Sequence, residues 1–152
     1  MKKIKINQAF IKMFTLITLC FTAFSFTTKF GLDSYEIYLN NTLILKQTVD
    51  QPLSLRILKL DKAKENDQLR IKYTHCMTKG AGTERSIVLK DEKGNKLKKW
   101  VFADATGSDL KMTIAVKELL QLEKIHGHHE LTLLYTAREL PKGEVLAFIR
   151  SK

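Results

Sequence analysis

The sequence predicts an all-β fold, an antiparallel β-sandwich of the immunoglobulin-like or jelly-roll-like kind with one short crossover helix. Three observations support this prediction. Apolar and polar residues alternate with a period of two along several segments of the 152-residue chain, as in strands with one buried face. Turn-forming residues separate these segments at short intervals. Only one stretch, 117–124, has the composition of a helix.

The first two predicted strands, 34–39 and 42–49, form a hairpin. Apolar and polar side chains alternate along the first of them, as expected for a strand that packs on a core. The dipeptide Asn40-Asn41 lies between the two segments, and asparagine tolerates the positive φ that a tight turn needs. A third strand is predicted over 53–60, where leucine and isoleucine share one face.

A second hairpin is predicted over 66–90. Its first arm, 67–77, places leucine, isoleucine, tyrosine, histidine and methionine on one face, and arginine, lysine, threonine and cysteine on the other. The loop 78–83 contains two glycines, which supply the flexibility that a chain reversal needs. The second arm, 85–90, carries a short apolar run. The pattern predicts that these two arms pair with each other.

Four further strands are predicted at 96–102, 110–116, 130–138 and 144–150. The period changes after the second of these, where 117–124 is rich in Glu, Leu, Gln and Lys and favours about two helical turns. Because so short a helix is unstable alone, its leucines are expected to cap one end of the core.

The N-terminus has the three parts of a secretory signal peptide. A lysine-rich start precedes an apolar run over 13–24, and Ala23 and Ser25 are small residues at the −3 and −1 positions of a cleavage site. The run is shorter than the roughly 20 residues that span a bilayer. The prediction is export to the periplasm or the cell exterior, with cleavage after Ser25. The alternative is an uncleaved N-terminal anchor, which would tether the protein to a membrane.

Cleavage would divide the chain into a signal peptide (1–25), a flexible leader (26–33) and a single β-sandwich domain (34–152). It would lower the formal net charge from +10 to +6, because four lysines and no acid lie in the signal. Cys20 follows a leucine inside the apolar run, which argues against lipidation. Cys76 would then be the single cysteine, so stability must come from the core and not from a disulfide.

The basic residues are scattered and locally balanced by acids, as on a solvated surface. The densest basic group is Lys96, Lys98, Lys99 and Lys111. Export makes nucleic acid an unsuitable partner for them. An acidic cell-surface polymer or an anionic lipid would satisfy the same charges.

Cys76 is a candidate for chemistry and for binding. The alternation places it near Arg70 and Lys72, and nearby cations favour the reactive thiolate. A nucleophilic cysteine also needs a base. The adjacent His75 points to the opposite face of a strand, where a hydrogen-bonded core histidine is expected. The main prediction for Cys76 is an ordinary strand residue, and a reactive or partner-linking thiol is the alternative.

A histidine cluster, His126, His128 and His129, is the candidate metal site. Imidazole suits zinc, copper or nickel. A tight site needs three or four supported ligands, however, and only Glu123 and Glu130 adjoin the cluster. A surface loop is therefore expected and no cofactor is predicted, with weak transition-metal binding as the alternative.

Lys79 and Tyr38 are the remaining binding candidates. Lys79 begins the glycine-containing segment 79–83, which lacks both the residue order and the following helix of a phosphate-binding loop, so a simple turn is expected. Tyr38 is the aromatic residue expected on an exposed face, where it could stack on a sugar or another planar ligand. No catalytic residue is predicted, because no nucleophile, base and orienting group are found together.

Several stretches carry a resemblance: the lysine-rich signal, GLDSYEIYLNN, DQLRIKYTHCM and the ending KELL…HELTLLYTARELPKGE. They resemble small exported proteins of Bacteroidota. The resemblance covers most of the mature chain. It implies export, and it implies no particular activity or site residue.

The sequence thus predicts an exported, non-enzymatic binding or envelope-accessory module. Its partner would be a protein or a cell-envelope polymer, reached through an edge strand or through loops at one end of the sandwich. The alternative is a metal-binding or thiol-dependent protein that uses the His126–His129 loop and Cys76. The oligomeric state is left open.

Overall fold

The computed structural model describes residues 31–76, 82–105, 111–126 and 130–149. Within these ranges nine strands form two sheets that pack face to face, with one α-helix. The predicted all-β sandwich with one short helix is confirmed. No helix in the described ranges combines the length and apolarity that crossing a membrane requires.

The elements follow one another in the order predicted. They are β1 (Ser34–Leu39), β2 (Thr42–Thr48), a 3-10 turn (Leu53–Leu55), β3 (Ile57–Leu58), β4 (Gln68–Thr74), β5 (Ser86–Lys90), β6 (Lys96–Val101), β7 (Lys111–Ala115), α1 (Val116–Ile125), β8 (Leu131–Ala137) and β9 (Leu140–Ile149).

The first sheet has four antiparallel strands in the order β2-β1-β4-β7. The second has five strands in the order β3-β9-β8-β5-β6. Its pairs are antiparallel except for β3, which lies parallel to β9. This sheet is therefore mixed, whereas the sequence predicted antiparallel pairing throughout. The hairpins β1–β2, β5–β6 and β8–β9 place neighbouring strands side by side.

The predicted hairpin over 66–90 is wrong. Strand β4 pairs with β1 and β7, whereas β5 pairs with β6 and β8, so the two arms lie in different sheets. The alternation of apolar and polar residues identifies a strand and its buried face. The same alternation occurs whether the next strand in the chain pairs with this strand or lies in the opposite sheet, so it does not identify the partner. The chain changes sheets between Thr74 and Ser86.

The core lies between the inner faces of the two sheets. Tyr73 of β4 stacks on Tyr135 of β8 with ring centroids 4.1 Å apart, so the two layers are in direct contact. Full burial of each large aliphatic side chain contributes about 1.5–3 kcal/mol, and this term holds the sandwich together. The innermost side chains come from both sheets: Tyr35, Ile37, Leu69, Ile71, Met112 and Ile114 from the first, and Ile87, Leu89, Leu133, Tyr135 and Leu146 from the second.

The predicted strand 53–60 is largely wrong, and Arg56 is the reason. Its guanidinium is 2% exposed, and Nη2 donates to the carbonyl oxygens of Val49 (2.8 Å) and Gln51 (3.0 Å). Nη1 donates to the Glu144 carboxylate and to the Val145 carbonyl. A buried cation needs such partners, so the chain curls into a 3-10 turn that brings Arg56 between β2 and β9. Only two residues of β3 then pair with β9.

Helix α1 begins directly after β7 and ends at Ile125, one residue beyond the predicted range at each end. Val116 and Leu119 are buried, as expected for a helix that caps the core. On its other side Glu118 accepts a hydrogen bond from Trp100 Nε1 (2.9 Å) and pairs with Lys98 (3.4 Å). The helix therefore links β7 of one sheet to β6 of the other.

Candidate functional site

The outer face of the five-stranded sheet forms an open groove of about 610 Å³. Because Ile87 and Leu89 point into the core, their neighbour Val88 must point outward. Cross-strand pairing sets Val88 between Leu134 on β8 and Lys99 on β6. These positions define the middle of the groove.

The floor of the groove is apolar and recessed. Val88 is 6% exposed and Leu134 9%, although both lie on an outer face. Beside them the hydroxyl groups of Ser86 and Thr136 share a hydrogen bond of 2.6 Å. The floor can therefore contact a ligand by van der Waals packing and through Thr136, which lines the groove, whereas Ser86 is 1% exposed and supports Thr136 from below.

The walls of the groove are basic. Five cations line it: Lys90, Lys96, Lys99, Arg138 and Lys142. The acidic side chain in the lining is Glu84, which pairs with Arg138. Among the described residues, no salt bridge joins any of the four lysines to a carboxylate. Four ammonium groups around one groove raise the local concentration of anions.

Gly143, the fourth residue of β9, shapes one end of the groove. Its φ is +76°, and a Cβ at this position would lie 3.0 Å from Leu134 Cδ2, from Thr136 Cγ2 and from the carbonyl oxygen of Tyr135. Only glycine permits both this backbone conformation and this close approach. The close approach places the preceding residues Pro141 and Lys142 at the rim.

The turn between β8 and β9 is anchored through Glu139. Its carboxylate accepts hydrogen bonds from the Thr83 amide (2.9 and 3.1 Å) and from the Thr83 hydroxyl (3.0 Å). Burial opposes ionisation of Glu139, but the hydrogen bonds from Thr83, the backbone amide of Glu139 itself and the nearby His75 together lower its pKa. The amide that a phosphate-binding loop would offer to a ligand is thus used by an internal carboxylate.

A second polar group of side chains lies inside the sandwich. His75 Nε2 is 2.9 Å from the Tyr135 hydroxyl, and His75 Nδ1 is 3.7 Å from Asp33 Oδ2. The Tyr73 hydroxyl donates to Asp33 Oδ2, and the Cys76 amide donates to Asp33 Oδ1, both at 2.9 Å. Asp33, assigned to the flexible leader by its sequence, is 2% exposed and joins β1 to the end of β4.

This buried Asp-His-Tyr array is suited to structure and not to proton transfer with a ligand. Burial raises the pKa of Tyr73 and of Tyr135 well above the usual value for tyrosine, so both phenols stay neutral hydrogen-bond donors even in alkaline solution. Gly82 covers the array, since a Cβ there would lie 3.0 Å from the Tyr135 hydroxyl and 3.1 Å from His75 Nε2. His75 is a hydrogen-bonded core histidine, as the alternation indicated.

The described residues among the predicted binding candidates lie apart from the groove lining. Tyr38 is half-buried on the four-stranded sheet, where its hydroxyl donates to Glu36 (2.8 Å) and Lys111 lies 5.8 Å from its ring centre. The hydrogen bond to Glu36 raises the Tyr38 pKa. Cys76 is half-buried just beyond the end of β4. Lys79 lies outside the described residues.

His126 ends helix α1, where its amide donates to the Leu122 carbonyl (3.0 Å). It faces a small cavity of about 210 Å³ shared with the β5–β6 turn. Asp91 of that turn accepts hydrogen bonds from the amides of Lys93 and Asn95, so its carboxylate stabilises the turn. His128 and His129 lie outside the described residues. Within the described residues, no three His, Cys, Asp or Glu side chains form a group that could hold a metal.

The basic cluster noted in the sequence divides between three surfaces. Lys96 and Lys99 line the groove, Lys98 pairs with Glu118 of the helix, and Lys111 lies on the four-stranded sheet. Sequence reasoning missed Lys90, Arg138 and Lys142, which lie near strand ends far apart in the chain. In the sequence each of these residues is marked only as a basic residue at an outward position of a strand or in a turn. Strand pairing, which the sequence does not show, brings them together.

Comparison of the chain with protein-family models, with curated proteins and with solved structures finds no match.

Proposed function

We propose that this protein is an exported, non-enzymatic binding module that holds an acidic polysaccharide of the cell envelope in the basic groove. The observation that carries the proposal is the arrangement of Lys90, Lys96, Lys99 and Lys142 around a recessed apolar floor. Each element of this arrangement has a counterpart in a chain of uronic-acid-type sugars.

The charges match such a polymer. A single exposed ion pair contributes only about 0–1 kcal/mol, so one carboxylate would bind weakly. A linear polymer presents carboxylates at regular intervals and engages several lysines at once. Because Lys96, Lys99 and Lys142 are exposed and Lys90 is half-buried, their attraction is screened beyond about 8 Å at physiological ionic strength. Binding is therefore expected to weaken steeply as salt is added.

The floor favours a sugar polymer over a lipid surface. Membrane-surface binding needs apolar side chains that project beyond the basic ones. Here Val88 and Leu134 are recessed, while the lysines form the rim. The apolar faces of sugar rings can pack on Val88 and Leu134, and the Thr136 hydroxyl at the groove edge is placed to hydrogen-bond a sugar oxygen.

The alternative function, metal binding or thiol chemistry, has less support among the described residues. His75 hydrogen-bonds Tyr135 in the core, and Cys76 contributes a backbone amide to Asp33. Neither arrangement resembles a nucleophile activated by a base.

Titration calorimetry with polygalacturonate as the probe tests the proposal, with dextran as the neutral polymer. Wild-type protein is expected to bind polygalacturonate and to ignore dextran. The double charge reversal K99E/K142E should weaken binding at least tenfold. The matched control K59E/K62E makes the same charge change at exposed lysines outside the groove lining and should have a small effect.

Equal losses in the two double variants would show that net charge and not the groove determines binding. Binding to dextran would reject the ionic mechanism. Binding to vesicles of anionic lipid with no binding to polygalacturonate would assign the groove to a lipid surface instead.

Export is part of the same proposal, and it has its own test. N-terminal sequencing of the protein from the cell envelope should find a chain that begins at or near Phe26, because cleavage is proposed after Ser25. Recovery of a chain that begins at Met1 in the cytoplasmic fraction would contradict export.

A further inference from the structure

The two ends of the basic groove differ in charge. Strand pairing sets Lys90 opposite Lys96, and both line the groove where β5 ends. Glu84 and Arg138, which also line it, lie just before β5 and just after β8. Because β5 and β8 are antiparallel, these two residues share the opposite end, where their side chains form an ion pair. The groove thus has one cationic end and one end at which the charges cancel.

The backbone conformation of Glu84 is unusual for a glutamate. Its φ is +52°, in the left-handed region that glycine and asparagine adopt most readily. The other non-glycine residue with positive φ in the described ranges is Asn40, an asparagine in the β1–β2 turn. A glutamate in this region is strained. Such strain persists only where the surrounding structure imposes it, and it is concentrated at ligand-binding and active sites.

Hydrogen bonds around Glu84 impose this conformation. The Glu84 amide donates to Asp104 Oδ1 (2.7 Å). The Thr83 amide donates to Glu139 Oε2 (2.9 Å), and the Thr83 carbonyl accepts from the Arg138 amide (2.9 Å). None of these contacts uses the Glu84 side chain, so they would hold a glycine or an asparagine equally well. The glutamate carboxylate, 64% exposed at the rim, is therefore available to a ligand and is not required by the turn.

We propose that the Glu84–Arg138 pair binds the hydroxyl groups of a neutral sugar, and that the ligand is a heteropolysaccharide in which neutral and acidic sugars alternate. The inference rests on the proposed function and specifies its substrate class. A carboxylate beside a guanidinium offers a hydroxyl group both an acceptor and donors, and both are charged. The lysines at the other end of the groove bind the uronic acids of the same chain.

One oligosaccharide can reach both ends of the groove. Glu84 and Lys90 are six residues apart in the sequence, which corresponds to at most about 20 Å of extended chain. A polymer with a carboxylate on every sugar would place one of them against Glu84, which opposes binding. An alternating polymer places a neutral sugar there while its acidic sugars meet the lysines. Glu84 therefore lowers the affinity for the first polymer and raises the affinity for the second.

Titration calorimetry with two oligosaccharides of equal length tests the proposal. The probes are an oligogalacturonate, which is acidic on every sugar, and a hyaluronan oligosaccharide, in which uronic acid alternates with a neutral N-acetylated sugar. Glu84→Asn should weaken hyaluronan binding roughly tenfold, because hydrogen bonds to a charged acceptor are lost. The same variant should tighten oligogalacturonate binding about threefold, because an exposed like charge is removed. The matched control Glu65→Asn changes an exposed glutamate outside the groove lining and should alter neither affinity.

Thermal melts separate ligand binding from a structural role of Glu84. Glu84→Asn should unfold at or above the wild-type temperature, because asparagine adopts the left-handed conformation with less strain. Glu84→Gln keeps an acceptor oxygen and should lose less hyaluronan affinity than Glu84→Asn. A marked fall in the melting temperature of Glu84→Asn would show that the carboxylate serves the fold, and would overturn the proposal.

The outcomes also distinguish this inference from the proposed function. Hyaluronan affinity that is unchanged in Glu84→Asn, or affinities for both oligosaccharides that fall together, would overturn the role of Glu84 and leave the basic groove as a binding site. Wild-type protein that binds neither oligosaccharide would reject the proposed function itself, and this inference with it.

Discussion

Gly82 shows how one residue position supports the buried array. With φ at +90°, it covers the hydrogen bond between His75 and Tyr135, and its carbonyl accepts a hydrogen bond from the Ala105 amide (3.0 Å). The predicted role of its glycine-containing segment was a simple turn. Sequence could not reveal the close approach, because His75 and Tyr135 are brought together only by packing of the two sheets.

Replacement of Gly82 by alanine is expected to lower the free energy of unfolding by roughly 2–4 kcal/mol. A non-glycine residue at positive φ costs about 1–3 kcal/mol, and the added methyl group would press on Tyr135 and His75. Gly94→Ala is the matched control, because Gly94 has φ +82° but open space around it. Urea denaturation that gives equal losses for both variants would contradict the steric contribution.

The pKa values of the buried tyrosines lead to a second prediction about individual residues. Burial raises the pKa of Tyr35 to about 12 from 10.0, with Arg56 opposing the shift, and burial also raises the pKa of Tyr73 and Tyr135. A pKa raised on folding means that the folded state favours the neutral phenol. This contribution to stability is complete below pH 10 and is lost as the pH rises toward 12 and beyond.

A spectroscopic titration of phenolate absorbance should therefore show no ionisation of the buried tyrosines near pH 10. Their ionisation should coincide with alkaline unfolding, followed by circular dichroism. Tyr38→Phe removes the one tyrosine of the chain that is not buried in the core and leaves the three buried ones, Tyr35, Tyr73 and Tyr135. Ionisation of these three near pH 10 in folded protein would be the contrary result.

The alternation of apolar and polar residues explains which strands could be predicted from the sequence. It located β1, β2, β4, β5, β6, β7 and β8 to within a few residues, since each has one face on a continuous core. It failed where the determinant is a contact between distant elements. The segment 53–60 leaves the strand conformation because Arg56 bonds to carbonyls of β9 and of the chain after β2. Likewise, β4 and β5 lie in different sheets because of their pairing with distant strands, and the local sequence pattern does not indicate that pairing.

Arg56→Ala is expected to lower the free energy of unfolding by about 3–5 kcal/mol, because it leaves Glu144 and three backbone carbonyls without their donor. Arg56→Lys should also be destabilising, since lysine cannot reproduce the planar set of donors. Arg138→Ala, which breaks an exposed pair with Glu84, should cost only about 0–1 kcal/mol. Denaturant unfolding that ranks Arg138→Ala equal to Arg56→Ala would contradict this assignment.

In the whole molecule, the inner faces of the two sheets and the outer face of the five-stranded sheet have different roles. The inner faces supply the stability, through the aliphatic core, the tyrosine stack and the Asp33 network. The outer face of the five-stranded sheet carries the basic groove, and its cations come from β5, β6, the β8–β9 turn and the start of β9. Composition indicated an anionic partner, but only two of the five groove cations, Lys96 and Lys99, belonged to the cluster seen in the sequence.

A two-dimensional amide NMR titration of the wild-type protein with a short oligogalacturonate tests directly whether the basic groove binds an acidic polysaccharide. Binding in the groove should produce the largest chemical-shift changes at Val88, Lys99, Leu134, Thr136 and Lys142, and these changes should diminish as salt is added. Changes centred on the four-stranded sheet, or no changes at saturating oligosaccharide, would contradict it.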